Sequence, residues 1–155
     1  MLILLDIDGV LVPAKSWSPP PYANDGFYMF NKKSVEALNL IIVRSKASIV
    51  LTTSHKHSFT LEKWTSLLES RGVIVNGLKR LKENTNHLTR QEEINNWYSS
   101  GENVQEFVII DDDKTLNNLP VHLKSRLVQT KPLIGLTSMH VEDAIEKLRA
   151  PLELV

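Results

Sequence analysis

Two acids separated by one residue, Asp6 and Asp8, stand between the apolar run Met1-Leu2-Ile3-Leu4-Leu5 and Gly9. A carboxylate can attack phosphorus to give an aspartyl-phosphate, which divides one hard displacement into two easier ones. Asp6, nearest the end of the run, is the candidate nucleophile. Asp8 is placed to bend back toward the same pocket, protonate a leaving oxygen and later activate water, and Gly9 permits the sharp turn this needs. Two more polar sets follow apolar runs, Thr52-Thr53-Ser54 and Asp111-Asp112-Asp113. A hydroxyl at Thr52 suits hydrogen bonding to the oxygens of a phosphoryl group in transfer. The five carboxylates of these sets, gathered at one edge, repel one another strongly unless a cation sits among them. Oxygen-only ligands select a hard ion, so Mg2+, which combines one or two carboxylates with water and substrate phosphate, is the expected cofactor.

These groups meet only if the runs before them are neighbouring strands whose carboxyl ends share an edge. Apolar runs of strand length fall at 2–5, 48–51, 73–75, 107–110 and 126–129. Between them, Val35, Leu38, Ile41 and Ile42 keep one helical face, and so do Leu61, Trp64, Leu67 and Leu68. Thr89 followed by Glu92 is a capping box opening a helix with Ile94, Trp97 and Tyr98 on its apolar face, and Val141, Ala144, Ile145 and Leu148 mark a last helix. The alternation predicts an α/β fold of three-layer, Rossmann-like type: a mostly parallel central sheet with helices on both faces. The stretch 12–30, with Ser18-Pro19-Pro20-Pro21 and Asn24-Asp25-Gly26, shows neither period and reads as a long loop or irregular hairpin.

A length of 155 residues fits one domain, 1–155, able to fold without disulfide or structural metal. With 18 basic and 18 acidic side chains the formal charge is zero, which excludes a global field drawing the protein to nucleic acid or membrane. The absence of cysteine removes thiolate zinc sites and fits a reducing cytosol, so a cytoplasmic location is expected. The first five residues are too short and too close to carboxylates for a signal peptide or membrane span. His55-x-His57, without cysteine or a third ligand, reads as solvated loop rather than zinc site, and Lys79-Arg80-x-Lys82 as a solvated basic face.

In this order the motifs resemble the haloacid dehalogenase (HAD) superfamily of phosphohydrolases: Asp-x-Asp after the first strand, Ser or Thr after the second, a basic residue, and paired acids after a later strand. The resemblance implies catalytic roles for Asp6, Asp8 and Thr52, and a metal held by Asp6, Asp8, Asp111 and Asp112. It implies Arg90 as the basic residue, since it opens the helix leading to the 107–110 strand; Lys79, Arg80 and Lys82 are the alternatives. Thr53, Ser54 and Lys56, at the same strand end as Thr52, are expected to contact substrate.

More narrowly, Asp6-Ile7-Asp8-Gly9-Val10-Leu11-Val12-Pro13, Ile49-Val50-Leu51-Thr52-Thr53-Ser54, Arg90-x-x-Glu93-Ile94-x-x-Trp97 and Thr130-x-Pro132-x-x-Gly135-Leu136-Thr137 resemble the HAD domain of Swiss Army knife RNA-repair proteins. The chain departs from those relatives at His55-Lys56, where they usually carry Trp-Arg. Neither 12–30 nor 56–89 leaves room for a large cap domain, and capless members of the superfamily tend to accept large substrates. A phosphatase acting on a nucleic-acid end or another phosphorylated macromolecule is therefore expected, with 12–30 as a small flap whose Trp17, Tyr22, Phe27 and Tyr28 stack on a base or pack the loop down. The alternatives are a non-catalytic phosphate-binding module on the same fold and a phosphotransferase.

Overall fold

Along β1 (Leu2–Leu5) the side chains alternate between two faces, and all four are buried. Ile3 and Leu5 join a core built with α1 (Lys32–Ser45), α2 (Leu61–Ser70) and α5 (Val141–Arg149), whereas Leu2 and Leu4 join one built with α3 (Arg90–Ser99) and α4 (Val121–Lys124). Helices therefore cover both faces, in three layers. This is the structure of a computed structural model, which describes residues 1–101 and 105–152; positions 102–104 and 153–155 of the expected single domain lie outside them.

The remaining strands are β2 (Ser48–Leu51), β3 (Leu78–Arg80), β4 (Phe107–Asp111) and β5 (Leu127–Gln129). They form one sheet in the order β3-β2-β1-β4-β5, parallel at every pairing. Leu5 faces Leu51 on one side and Ile110 on the other, so the residues following β1 and β2 and the last residue of β4 share one edge. Strands are added outward from β1 to β3, and the chain then returns to lay β4 on the opposite side of β1. That reversal opens a crevice at the carboxyl ends of β1 and β4, where such sheets bind ligands.

One strand differs from expectation. The run 73–75 is not a strand; the third strand is Leu78–Arg80. The Val73 N–H bonds to the Leu68 carbonyl and the Ile74 N–H to the Asn39 side chain, which commits this segment to closing α2. The true strand is hard to recognise because β3 is an edge strand with Lys79 exposed, as edge strands commonly are.

The segment 12–30 is anchored at one end and open at the other. A bridge between Tyr22 and Tyr28 closes a small hairpin, and Arg71, after α2, clamps it. The Arg71 guanidinium holds both Asp25 carboxylate oxygens at 2.6 and 2.8 Å and donates to the carbonyls of Phe27 and Tyr28. Phe27 is buried edge-on against Trp64 and Phe59. Trp17 and Tyr22 stay 71% and 61% exposed. The four aromatics thus divide: Phe27 packs the hairpin down, Tyr28 is half-buried beside it, and Trp17 and Tyr22 face solvent. Among the described residues, no helix is long and apolar enough to cross a membrane.

Replacing Arg71 by Ala removes the clamp, and chymotrypsin should then cut after Phe27 and Tyr28 much faster than in the wild-type protein. Arg71→Lys should restore little protection, because an ammonium cannot hold both carboxylate oxygens in one plane. Equal cleavage rates in all three proteins would show that aromatic packing alone secures the hairpin.

Candidate active site

Past Leu5 the chain keeps sheet bonding for one more residue, the Asp6 N–H donating to the Ile110 carbonyl, and then turns. The N–H groups of Val10, Leu11 and Val12 converge on the Ile7 carbonyl, and Gly9 takes a left-handed φ of 80°. A β-carbon at Gly9 would lie 2.1 Å from Asp112 Oδ2, so this position needs glycine both for its backbone and for the side chain beside it. The Thr130-x-Pro132-x-x-Gly135-Leu136 segment supports the turn from behind. Thr130 Oγ1 donates to the Gly9 carbonyl at 2.6 Å, its N–H to the Asp111 carbonyl, and the Leu136 N–H to the Val10 carbonyl. At Gly135, φ 78°, a β-carbon would lie 2.5 Å from that Val10 oxygen.

This framework brings together Asp6, Asp111 and Asp112, each of which offers one carboxylate oxygen within 4.8 Å of those of the other two. Asp111 is fully buried, Asp6 is 4% exposed and Asp112 is half-buried. One cation answers them. Arg90 Nη1 lies 2.5 Å from Asp111 Oδ2 and 3.4 Å from Asp6 Oδ1, and also donates to Thr52 Oγ1 at 3.3 Å. Arg90 is the first residue of α3, behind a Thr89 side chain that caps the helix by accepting the Glu92 N–H. The helix dipole disfavours a cation there, and the two aspartates more than offset it. Lys79, Arg80 and Lys82 do not share this arrangement: Arg80 donates to the Lys56 and Phe59 carbonyls, while Lys79 and Lys82 are exposed.

Burial pushes the Asp6 carboxyl up to about 6, with Arg90 drawing it down and Asp112 adding repulsion. Burial likewise pushes Asp111 up to about 7, the Asp6 charge raising it and Arg90 lowering it. Asp112 is raised, again chiefly by burial. Burial alone would lower Arg90, but the charges of Asp111 and Asp6 prevail and raise it. Three crowded carboxylates against one guanidinium leave a deficit of positive charge, and three hard oxygen donors fit a divalent ion such as Mg2+.

The other predicted residues are placed differently. The Asp8 carboxylate is not a member of that cluster and meets His55 Nε2 at 3.0 Å. The bond to Asp8 raises the His55 pKa, partly offset by burial. His57 bonds the Leu81 carbonyl instead, so the two histidines neither act as plain loop residues nor converge as a zinc pair. Thr52 is buried with its oxygen toward Arg90, whereas the Thr53 oxygen accepts the His55 N–H and caps the following turn. Ser54 is exposed. Lys56, expected to contact substrate, is buried at 3% exposure with its ammonium 2.9 Å from Glu93. Glu93 also approaches Arg90 at 3.9 Å, so Lys56 braces Arg90 through it. Asp113 caps the short 3-10 helix Lys114–Asn118 by accepting the Thr115 N–H.

The sequence reading missed the partnerships of His55 and Glu93. The His55–Asp8 contact spans 47 positions and the Lys56–Glu93 pair joins two elements, so no local spacing signals either. Among family models, that for the HAD domain in Swiss Army Knife RNA repair proteins matches residues 2–141. No curated protein and no solved structure matches the chain.

The raised carboxyls make stability depend on pH. Between about pH 4 and 7, folded Asp6 and Asp111 hold protons that the unfolded chain, with carboxyls at 3.8, has released, so stability falls as pH rises through this window. Asp25, held down to about 2 by Arg71, loses its contribution only below the window. The urea midpoint of metal-free protein should therefore be lower at pH 7.5 than at pH 5, with a smaller difference in Asp111→Asn. Added Mg2+ should raise the wild-type midpoint more at pH 7.5 than at pH 5. A midpoint insensitive to both pH and Mg2+ would contradict this reading.

Proposed function

The chain belongs to the family of HAD domains in Swiss Army Knife RNA repair proteins, and on that premise we propose a magnesium-dependent phosphatase working through an aspartyl-phosphate at Asp6. The observation that carries the proposal is the unequal placement of two carboxylates two residues apart. Asp6 sits among the acids, Arg90 and Thr52, while Asp8 stands outside that cluster and meets His55. Two carboxyls in such different surroundings suit two different roles.

In the first step an Asp6 oxygen attacks phosphorus, the bond from phosphorus to the leaving oxygen breaks, and Asp8 gives that oxygen its proton. In the second, Asp8 takes a proton from water, the water oxygen attacks the same phosphorus, and the Asp6 carboxylate is released. Thr52 Oγ1 accepts from Arg90, which leaves its own O–H free to donate to a phosphoryl oxygen. Arg90 keeps Asp6 and Asp111 in place and adds positive charge where the phosphoryl oxygens gather. Asp6, Asp111 and Asp112 would hold a Mg2+ ion, whose charge would allow a carboxylate and a phosphate dianion to approach each other.

The substrate is a phosphate on an accessible macromolecular group, of which a nucleic-acid end is the favoured case. Trp17 lines a groove with Asp8 while remaining 71% exposed, available to stack on a terminal base.

Hydrolysis of p-nitrophenyl phosphate should require Mg2+, stop with EDTA, and fall by about three orders of magnitude or more in Asp6→Asn. Thr52→Ala should lose roughly 10²-fold in kcat. On 5'- or 3'-phosphorylated oligonucleotides, Trp17→Ala should raise KM by roughly 10-fold while leaving KM for the aryl phosphate near wild type. Turnover that survives loss of Asp6 would defeat the nucleophile assignment. Mg2+-dependent binding of phosphorylated ends with no turnover would favour a binding module.

A further inference from the structure

Asp8 is part-buried with its side chain 37% exposed, and its carboxylate meets the imidazole of His55 at 3.0 Å. That imidazole is itself fixed. The His55 N–H bonds to Thr53 Oγ1, the Ser58 N–H to the His55 carbonyl, and the ring stands edge-on to Phe27 at 5.3 Å and Tyr28 at 5.5 Å. Phe27 is in turn wedged against buried Trp64, whose indole N–H bonds to the Lys56 carbonyl within the same turn. The ring orientation is thus set by packing and local hydrogen bonds independent of Asp8.

We propose that His55 is the positioning residue for Asp8, its ring N–H holding one carboxylate oxygen so that the other is presented to the leaving group. The inference rests on the phosphatase reading above and adds a residue which that mechanism does not name. His55 keeps its proton throughout; the proton delivered to the leaving oxygen comes from the free oxygen of Asp8. By this route the anchored half of the flap, through Phe27 and Tyr28, contributes to the chemistry without touching substrate.

A positioning role for the acid makes a prediction that a general structural role does not, because only poor leaving groups need a proton. In the full chain with Mg2+, His55→Ala should lower kcat/KM, which reports the step in which the leaving group departs, by about 10- to 100-fold for phenyl and alkyl phosphates. For 2,4-dinitrophenyl phosphate, whose leaving group departs unaided, the loss should stay within about threefold. A plot of log kcat/KM against leaving-group pKa should steepen as it does in Asp8→Asn. His55→Gln, which keeps an N–H donor, should recover most of the loss and carries the test if the alanine variant misfolds by circular dichroism.

A loss equal for all leaving groups, no recovery in His55→Gln, or a steepened plot in Asp8→Asn alone would overturn the positioning role while leaving the phosphatase reading intact. A wild-type protein that hydrolyses none of these esters would overturn both.

Discussion

Repulsion among three crowded carboxylates, two of them buried, is the constraint around which this fold is arranged. Asp6, Asp111 and Asp112 come within 4.8 Å of one another because β1 and β4 are adjacent and parallel and end at the same level. Nothing in apolar packing calls for that crowding. It persists because the strands on either side are fully buried and because the backbone is held in place. Thr130 pins the Gly9 carbonyl, and Gly9 alone leaves room for Asp112. One guanidinium opposes three acids, and Lys56 and Glu93 keep it in position from behind. Energy stored in unbalanced charge is what a divalent cation would release on arrival.

From that constraint follows the division of labour proposed for Asp6 and Asp8. The crowded pocket holds Asp6, and the turn after Ile7 carries Asp8 out of it to His55. One acid is dehydrated and surrounded by charge, the other half-exposed beside an imidazole. A nucleophile and a proton carrier need just such a contrast, and here it costs the chain one intervening residue and a glycine turn.

Much of this was legible in the sequence, for identifiable reasons. The runs ahead of Asp6, Thr52 and Asp111 are central strands buried along their length except at Ser48, and buried parallel strands read as continuous apolar stretches. Polar residues at their ends therefore stand out. The third strand did not, because Lys79 and Arg80 on an edge strand break the apolar pattern, while Val73 is buried without pairing. Thr89 and Glu92 announced the start of α3, and with it the place of Arg90. Long-range pairings left no local trace. Lys56 looked like a free basic residue but is buried on Glu93, and His55, at the position where the chain departs from its relatives, looked like loop but holds Asp8. Such contacts depend on how elements dock, which spacing along the chain does not encode.

The central claim is that this crowded pocket makes Asp6 a nucleophile, and the most direct measurement is capture of its intermediate. Wild-type protein turning over a phosphate ester is quenched in acid, reduced with borohydride, and digested for peptide mapping. The account predicts homoserine at position 6, formed only when a divalent cation is present during turnover. Rapid turnover that leaves position 6 unmodified, or a label on another residue, would contradict it.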